Sequence, residues 1–336
     1  MRAIAYRQSL SIAEAEALID VDLPKPEPKG RDLLVEVRAI SVNPVDTKMR
    51  MRTQPAAGEV QVLGWDVAGV VVGAGPDATL FKAGNEVFYA GAIDRPGCNS
   101  EFHLVDERIV GPKPKSLDFA QAAALPLTSI TAWESLFDRL DVRRPVPGAN
   151  AILIIGGAGG VGSMAIQLAR TRTDLTVIAT ASRPETIAWC RDLGAHHVVD
   201  HRQPLAAQVA GLGLGAPGFV LSTTNTAMHF SEVATLIAPQ GRFALIDDPK
   251  TLDVVPVKRK CVSVHWELMF TRSLFGTADM IAQHELLSEV SRLVDAGTLR
   301  TTMADSFGAI NAANLKRAHA QLESGTTRGK VVLAGF

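Results

Sequence analysis

The chain has 336 residues, of which 47% are hydrophobic and 21% are charged, with 34 basic against 35 acidic side chains. This length is sufficient for two domains, since single hydrophobic cores rarely grow past about 250 to 300 residues. A net charge of -1 gives no electrostatic reason to expect nucleic acid or a membrane surface as a partner. No stretch approaches the roughly 18 apolar residues of a membrane span, so the composition is typical of a soluble globular protein.

The number and spacing of the cysteines indicate the redox state of the protein's cellular compartment. Cys98, Cys190 and Cys261 are odd in number and far apart in the sequence. This spacing argues against a disulfide framework and is typical of a reducing environment. The N-terminal residues 1–20 contain early acidic side chains and no long apolar run, which argues against a signal peptide. We therefore predict a cytoplasmic location.

The first part of the chain, residues 1–126, has the pattern of an all-β domain. Short apolar runs alternate with segments rich in Gly and Pro, which cannot extend a strand. We therefore expect a barrel-like β unit. The predicted strands are 1–6, 33–42, 66–72, 85–90 and 101–105.

The second part, residues 127–267, has a different period. Short apolar runs bounded by turns alternate with helical stretches that close near a Gly or a basic residue. Six apolar strands alternating with helices predict a parallel sheet covered on both faces, the α/β doubly wound architecture. The predicted strands are 151–155, 175–180, 196–200, 219–223, 242–246 and 262–266.

The last part, residues 268–336, contains two helical patterns, at 280–297 and 311–323, and a terminal strand at 330–336. We expect this segment to return to the first domain. Periodicity alone does not establish that return.

A glycine-rich turn follows the strand at 151–155. Gly157, Gly159 and Gly162 satisfy G-x-G-x-x-G, with Gly160 and Val161 between them. Chance gives about 0.2 such patterns in a chain with 28 glycines, so the evidence lies in the preceding strand and the following helix. In this setting the first glycine, Gly157, permits the tight turn, the second lets the backbone approach a pyrophosphate, and the third lets helix and strand pack closely. Because a helix N-terminus also favours anions, the pattern predicts a dinucleotide site.

The second strand bears on the choice of dinucleotide. An NAD site usually has Asp or Glu about 20 residues beyond the glycines, to bind the adenosine ribose. Here that place holds Ala181, Ser182 and Arg183. A guanidinium with a neighbouring hydroxyl is suited to a 2′-phosphate, so we predict NADPH as the cofactor. The alternative, that Arg183 is an ordinary surface residue at a helix start, stays open.

Several segments together resemble one family. The sequence is similar to the medium-chain dehydrogenase/reductase superfamily, and within it to the zinc-free quinone oxidoreductase, or zeta-crystallin-like, branch. The resemblance implies a GroES-like β-barrel catalytic domain, a Rossmann domain, a cofactor in the cleft between them and a homodimer. The segments that carry it are SVNPVDTK (41–48), GWDVAGVV (64–71), FAQAAALPLTSITAWESL (119–136), IIGGAGGVG (154–162) and RGKVVL (328–333).

The resemblance also locates the places at which zinc-dependent relatives hold their catalytic metal. In this chain those places read Asn43, Trp65 and, approximately, Thr128. A catalytic zinc needs three Cys, His or carboxylate donors, so we predict no bound metal. Asp66 is interpreted as a structural acid, because one carboxylate without His or Cys neighbours is a weak metal site.

Without zinc, alcohol oxidation loses its Lewis acid. Hydride transfer from NADPH to an already polarised acceptor, a quinone or an α,β-unsaturated carbonyl, is the easier task. The predicted function is therefore a zinc-independent NADPH oxidoreductase. An NADPH-binding protein with a regulatory or structural role and little turnover is the alternative, and a zinc-dependent alcohol dehydrogenase is disfavoured.

The candidate acceptor-site residues are Asn43, Thr47, Lys48, Trp65 and Thr128. Asn43 could hydrogen-bond the substrate carbonyl or the nicotinamide ribose, or serve only as a turn residue before a proline. Trp65 could wall an aromatic pocket or simply pack between domains. Some relatives have a Tyr near the place of Lys48 that is suspected of proton donation, so this chain lacks that candidate acid and solvent could protonate the product.

Other side chains are candidates for the cofactor site. His201 ends the third strand, where relatives place a Tyr against the 2′-phosphate, although a lone His at a strand end is commonly only solvated. Carboxyl ends of strands line the ligand crevice in open α/β sheets. The further candidates at such ends are Thr223, Thr224, Ile246, Asp247, His265 and Trp266.

Four more positions have open interpretations. Arg328 and Lys330 either reach the cofactor phosphates or form a solvated surface pair. Tyr89 follows a strand end and could face the cleft, and Phe270 could complete the pocket or a dimer interface.

Overall fold

A computed structural model of the protein describes residues 1–336, which form two compact units. Unit 1 comprises Met1–Ile130 together with Phe270–Phe336, and unit 2 comprises Thr131–Met269. The chain therefore leaves unit 1, completes unit 2 and then contributes its last 67 residues (270 to 336) to unit 1.

The N-terminal part of unit 1 is built mainly of strands, because Gly and Pro interrupt its apolar runs. Its strands are β1 Arg2–Tyr6, β2 Ile19–Asp22, β3 Asp32–Val42, β4 Gln61–Val62, β5 Val67–Ala74, β6 Glu86–Tyr89, β7 Phe102–Asp106 and β8 Val110–Pro112. Its helices are α1 Pro44–Arg52, α2 Phe119–Ala123 and α3 Pro126–Trp133, with 3-10 turns at Ala15–Ala17 and Glu107–Ile109. The boundary between the units falls within α3.

Unit 2 alternates strands and helices. Its strands are β9 Ala151–Ile155, β10 Thr176–Thr180, β11 His197–Val199, β12 Phe219–Ser222, β13 Arg242–Leu245 and β14 Ser263–Trp266. Its helices are α4 Gly160–Arg172, α5 Pro184–Asp192, α6 Leu205–Gly211 and α7 Thr226–Leu236, with a π-helix at Glu134–Arg139 and a 3-10 helix at Val255–Lys260.

The C-terminal part of unit 1 contains α8 Thr271–Leu274, α9 Ala282–Asp295, β15 Met303–Ser306, α10 Ala312–Glu323 and β16 Lys330–Ala334. Strand β16 pairs antiparallel with β3, with Val331 opposite Val42. The main sheet of unit 1 has seven strands in the order β15-β16-β3-β5-β6-β8, with β7 also paired to β3. A second sheet has the order β2-β1-β4.

The six strands of unit 2 are parallel and have the order β11-β10-β9-β12-β13-β14. Every residue of β9 is buried, because helices cover both faces of the sheet and the strand has apolar side chains on both. The predicted doubly wound α/β fold is confirmed. Chain order reverses on either side of β9, so the carboxyl end of β9 is the topological switch point at which such sheets bind ligands.

None of the helices is both long and apolar enough to span a bilayer.

Candidate functional site

The glycine turn of unit 2 lies at the switch point, between β9 and α4. Gly156 has φ +81° and makes the sharp turn, which few residues with a side chain adopt. The sequence analysis gave this role to Gly157, whose φ is not positive. A Cβ at Gly157 would instead lie 2.8 Å from the Cβ of Ala179 and 3.1 Å from the Sγ of Cys190, so Gly157 permits close packing against the next strand and helix.

Gly159 and Gly162 serve different contacts. A Cβ at Gly162 would lie 2.2 Å from the carbonyl oxygen of Gly156, so this position must stay glycine for the helix to approach the turn. A Cβ at Gly159 would meet no protein atom closer than 3.5 Å. Gly159 is the N-cap of α4 and no side chain caps it, while Gly160 and Val161 are partly exposed in the first turn. This open helix N-terminus has the properties that a dinucleotide pyrophosphate requires.

Basic side chains gather where β10 and β11 end. Arg202, which the sequence analysis missed, donates from Nη2 to the carbonyl oxygen of Ser182 at 2.9 Å and also pairs with Asp200. Arg183 precedes α5 and its Nε lies 3.2 Å from a carboxylate oxygen of Glu185. Two guanidinium groups therefore lie near the backbone of residues 182–183.

His201 is linked to the glycine turn. Its Nδ1 lies 3.4 Å from the Oγ1 of Thr180, which accepts the backbone N–H of Gly156 at 3.0 Å. Burial lowers the pKa of His201 below its ordinary value. The structure thus places His201 beside the turn as a half-buried imidazole, and its burial favours the neutral form.

The residues at the carboxyl ends of β12 and β13 differ in whether their polar groups are free to contact a ligand. Thr223 donates its hydroxyl to the carbonyl oxygen of Ile155 at 2.8 Å and is partly exposed, and Thr224 is exposed. Ile246 is partly exposed, while Asp247 accepts both the backbone N–H and the hydroxyl of Thr226. Asp247 therefore caps α7 instead of presenting a free carboxylate.

His265 and Trp266 lie apart from the turn. They belong to β14, the edge strand, and two strands, β12 and β13, lie between β14 and β9. The Nε2 of His265 contacts the Oγ of Ser263 at 3.1 Å, and the Trp266 side chain is 55% exposed.

Unit 1 contains a buried polar cluster around Asn43. The Nδ2 of Asn43 lies 2.8 Å from a carboxylate oxygen of Asp66 and 3.3 Å from the carbonyl oxygen of Trp65. Its Oδ1 accepts from Lys330 at 2.5 Å. Because an amide nitrogen has two hydrogens and both have protein acceptors, Asn43 has no donor left for a substrate in this arrangement.

Lys330 is placed differently from both sequence interpretations. It is 3% exposed, in unit 1, where its Nζ donates to the carbonyl oxygen of Val42 at 2.8 Å and to Asp66 at 3.0 Å. It is therefore neither a solvated surface residue nor a phosphate ligand. The sequence analysis could not detect the role because the partners of Lys330 are distant in the chain.

Two buried carboxyl groups belong to the cluster. Asp66 accepts from Asn43, Lys330 and the backbone N–H of Leu127, the last at 2.8 Å. Asp46 accepts the backbone N–H of Asn43 at 2.7 Å. Burial raises the pKa of Asp46 to about 7 and also raises the pKa of Asp66, in both cases against the opposing effect of Lys330. One ammonium thus faces two carboxyl groups, an arrangement that favours the retention of a proton in the cluster.

The remaining acceptor candidates are also mostly engaged. The Nε1 of Trp65 donates to the carbonyl oxygen of Ala92 at 3.2 Å, and its ring packs edge-on against Phe270, both within unit 1. Thr47 and Thr128 donate their hydroxyls to carbonyl oxygens one turn earlier. Lys48 is half-buried.

Tyr89 is fully buried and its hydroxyl lies 3.0 Å from the Nδ1 of His103, whose Nε2 contacts the carbonyl oxygen of Pro96 at 3.0 Å. Burial raises the pKa of Tyr89 well above its ordinary value and lowers that of His103 to about 4. The pair is a neutral internal contact.

The donor set at Asn43, Trp65 and Thr128 does not suit zinc. It offers an amide, an indole and a hydroxyl, all bonded to protein, and the Lys330 ammonium would repel a second cation there. No group of three or more His, Cys, Asp or Glu side chains is arranged to hold a metal ion.

A glycine-rich turn at the switch point of a doubly wound sheet, in a chain with a second, β-rich unit, is typical of two-domain dehydrogenases and reductases. Residues 29–115 match the alcohol dehydrogenase GroES-like domain, and residues 193–333 match the zinc-binding dehydrogenase family. A zinc-type alcohol dehydrogenase-like protein of Staphylococcus aureus (SAS2087) is 38% identical over 99% of both chains. The human mitochondrial NAD(P)H oxidoreductase RTN4IP1 is 30% identical over 90% of this chain and 81% of its own. The chain therefore belongs to the medium-chain dehydrogenase/reductase superfamily and is an oxidoreductase of that type.

Solved structures agree on the fold. A protein of Rhizobium etli CFN 42, provisionally described as a zinc-dependent alcohol dehydrogenase, is 65% identical, with TM-score 0.98 over 100% of this chain and 98% of its own. The quinone oxidoreductase of Coxiella burnetii is 26% identical, with TM-score 0.81 over 100% and 99%. Mycobacterial Rv1454c, solved with NADPH, is 26% identical, with TM-score 0.84 over 99% of both chains.

Proposed function

We propose that the protein is a zinc-independent oxidoreductase that binds NADPH on unit 2 and transfers its hydride to a quinone or an α,β-unsaturated carbonyl compound. The observation that carries the proposal is the donor set of unit 1. The places of a catalytic metal hold Asn43, Trp65 and Thr128, whose polar groups already have protein partners, together with a buried ammonium. The acceptor must then be polarised by its own conjugation.

NADPH is preferred over NADH because of the side chains at the ends of β10 and β11. Arg183 and Arg202 offer guanidinium groups beside Ser182, and His201 lies close to the turn. The two carboxylates in this group are already paired, Asp200 with Arg202 and Glu185 with Arg183. A 2′-phosphate could accept charge-assisted hydrogen bonds from both guanidinium groups.

The preference is tested by titrating wild type, Arg183→Ala and Arg202→Ala with NADPH and NADH. We expect NADPH to bind wild type at least about tenfold more tightly than NADH, and each variant to reduce that ratio. Lys258→Ala is the control, because this side chain lies in the 3-10 helix Val255–Lys260, away from β10 and β11. Equal affinities that do not change in the arginine variants would contradict the preference.

Bound NADPH supplies the hydride, and the residues of the chain supply position. The open N-terminus of α4 and Gly159 would hold the pyrophosphate, and the basic side chains would orient the adenosine end. Tyr89 is enclosed with His103 and so is unsuited to donate a proton to substrate. We propose that solvent protonates the product, and that Thr47, Lys48 and Thr128 are the remaining candidates for contact with the acceptor.

The activity itself is tested by NADPH oxidation with a panel of quinones, conjugated enones and saturated aldehydes. Primary alcohols are tested separately as substrates, with NADP⁺ as the oxidant. The proposal expects turnover with quinones or enones and little with the saturated compounds. Tight NADPH binding without reduction of any acceptor would instead support the alternative of a regulatory or structural NADPH-binding protein. Alcohol oxidation that depends on added zinc would contradict zinc independence.

We also propose a homodimer formed through β14. This strand is paired on one side only, by β13, and two side chains near its end are exposed, Trp266 by 55% and Leu268 by 51%. An unprotected edge strand with exposed apolar groups is suited to pairing with a second copy. Light scattering should give twice the mass of 35.8 kDa for wild type, and Trp266→Lys should shift the mass towards the monomer. A wild-type monomer at micromolar concentration would contradict this proposal.

The cysteines support a reducing compartment. All three are free thiols, with Cys98 and Cys190 buried and Cys261 exposed. We therefore keep the cytoplasm as the proposed location.

A further inference from the structure

The three segments at the places of a catalytic metal are joined by one carboxylate. Asp66 follows Trp65 directly, accepts the side-chain amide of Asn43 at 2.8 Å, and accepts the backbone N–H of Leu127 at 2.8 Å. Leu127 is adjacent to Thr128. Asp66, which lies just before β5, thus accepts hydrogen bonds from the end of β3 and from the start of α3. Three stretches that are distant in the sequence therefore meet at this one carboxylate.

Lys330 completes this junction from the last strand of the chain. Its three ammonium hydrogens have three acceptors within 3.0 Å, the carbonyl oxygen of Val42, the Oδ1 of Asn43 and a carboxylate oxygen of Asp66. The Lys330 side chain is 4% exposed and the Asp66 side chain is 0% exposed. A fully satisfied, dehydrated ion pair fixes the orientation of its partners more strictly than a surface pair does.

We propose that Lys330 is a positioning residue: with Asp66 it holds the Asn43, Trp65 and Thr128 segments together. The effect on acceptor turnover rests on the proposed function. The holding of the three segments does not, because it follows from contacts within unit 1 alone.

The proposal makes a specific claim about charge. Removal of the ammonium leaves Asp66 and Asp46 buried without a cation, which is strongly unfavourable, whereas removal of both members of an ion pair costs much less. Lys330→Met should therefore loosen the junction, and Asp66→Asn combined with Lys330→Met should restore much of it, since asparagine can still accept from Asn43 or Leu127.

The chain offers a matched control in Lys113. This lysine is also buried in unit 1, and its Nζ donates to the carbonyl oxygens of Pro114 and Leu117 and lies 3.2 Å from Glu86. None of these partners belongs to the cluster around Asn43. Lys113→Met should therefore lower the melting temperature without disturbing the three segments.

Cys98 reports on the junction independently of activity. Its Sγ lies 3.7 Å from the carbonyl oxygen of Asp66 and the residue is 1% exposed. Cys190 is buried in unit 2 and Cys261 is exposed, so these two thiols serve as internal references. Labelling of the native protein with a thiol reagent, followed by peptide mass spectrometry, measures the three rates separately.

We expect rapid labelling of Cys261 alone in wild type and in Lys113→Met. In Lys330→Met, Cys98 labelling should accelerate by at least about tenfold while the Cys190 rate stays constant, because the opening is local. In the double variant the Cys98 rate should fall back to within about threefold of wild type. If Lys330→Met does not fold, the double variant alone is measured. Rapid labelling of Cys98 in the double variant would then contradict the proposal.

Kinetics supply the second measurement. Lys330→Met should lower kcat/KM for the acceptor by about tenfold or more, with partial recovery in the double variant, and leave the Kd for NADPH within about twofold. Lys113→Met should change neither. Unchanged Cys98 protection in Lys330→Met, or equal exposure of Cys98 in Lys113→Met, would overturn the proposal. Absence of any acceptor reduction by wild type would overturn only the proposed function, because the labelling result is independent of it.

Discussion

The glycine turn of unit 2 and the buried cluster of unit 1 satisfy their polar groups in opposite ways. At the turn, no side chain caps α4, and Gly159 keeps space beside the exposed N–H groups. In the cluster, the amide of Asn43 and the ammonium of Lys330 have a protein acceptor for every hydrogen. Open donors mark the place that receives a ligand, whereas closed donors mark a place that holds other segments in position.

The largest expected effect tests the packing of the turn. In Gly162→Ala the new methyl group would lie 2.2 Å from the carbonyl oxygen of Gly156, so the backbone must shift. Such overpacking costs about 1–3 kcal/mol, and we expect a lower melting temperature together with about 10- to 100-fold weaker NADPH binding. Calorimetry and fluorescence titration measure the two effects.

Gly211→Ala is the matched control for this variant. Gly211 lies in α6 of unit 2, and a Cβ there meets nothing within 4 Å. We expect equal or higher stability and unchanged NADPH affinity. Wild-type affinity and stability in Gly162→Ala would show that the described turn geometry is wrong.

The next effect separates ligand binding from folding. Gly159→Ala adds a methyl group that meets no protein atom closer than 3.5 Å, so the melting temperature should stay within about 2 °C of wild type. If the pyrophosphate lies against Gly159, the Kd for NADPH should rise by about tenfold, from the loss of a charge-assisted hydrogen bond. Unchanged NADPH affinity would mean that the open side of the turn does not receive the cofactor.

The contrast between the two regions also explains what the sequence could predict. The glycine turn is local, since strand, glycines and helix follow one another, and its pattern indicated a dinucleotide site. Within that pattern the tight turn was given to Gly157, whereas the positive φ belongs to Gly156. The motif alone does not indicate which glycine makes the turn, because that depends on how the turn packs against β10.

The buried cluster could not be predicted in the same way. The contact between Lys330 and Asn43 spans 287 positions, and it depends on β16 returning to pair with β3. A lysine near a chain terminus is commonly exposed, and only the tertiary structure shows this one to be buried. Helix α1 was also missed, because its side chains show no amphipathic period. The signal that could have identified it is its start, where Asn43 is followed by Pro44 and Asp46.

A smaller effect concerns the proton in the cluster. The pKa of Asp46 is about 7 in the folded chain, so between about pH 4 and pH 7 the folded state holds a proton that the unfolded state has released. Stability therefore falls as pH rises through this range. Asp46→Asn removes that dependence, so the variant should match wild type near pH 5 and exceed its melting temperature by a few degrees at pH 8.

Melting curves of both proteins from pH 5 to pH 9 test this prediction. A difference between wild type and Asp46→Asn that stays constant with pH would show that Asp46 is ionised throughout the range, and that the proton resides elsewhere in the cluster.

The smallest expected effect concerns Lys48. This side chain is half-buried on α1, where some relatives carry a tyrosine suspected of proton donation. Because we propose that solvent protonates the product, Lys48→Met should lower kcat/KM for the acceptor by less than about fivefold and leave NADPH binding unchanged. A loss near a hundredfold in kcat, with a lost dependence on pH, would identify Lys48 as the acid.

The central claim is that this member of a family named for zinc reduces conjugated acceptors without a metal. It is tested most directly by the rate of NADPH oxidation with a reactive quinone or enone, before and after exhaustive dialysis against a strong chelator, with zinc content measured in the same samples. The account predicts equal rates and far less than one zinc per chain. A rate that disappears on chelation and returns with added zinc would contradict it.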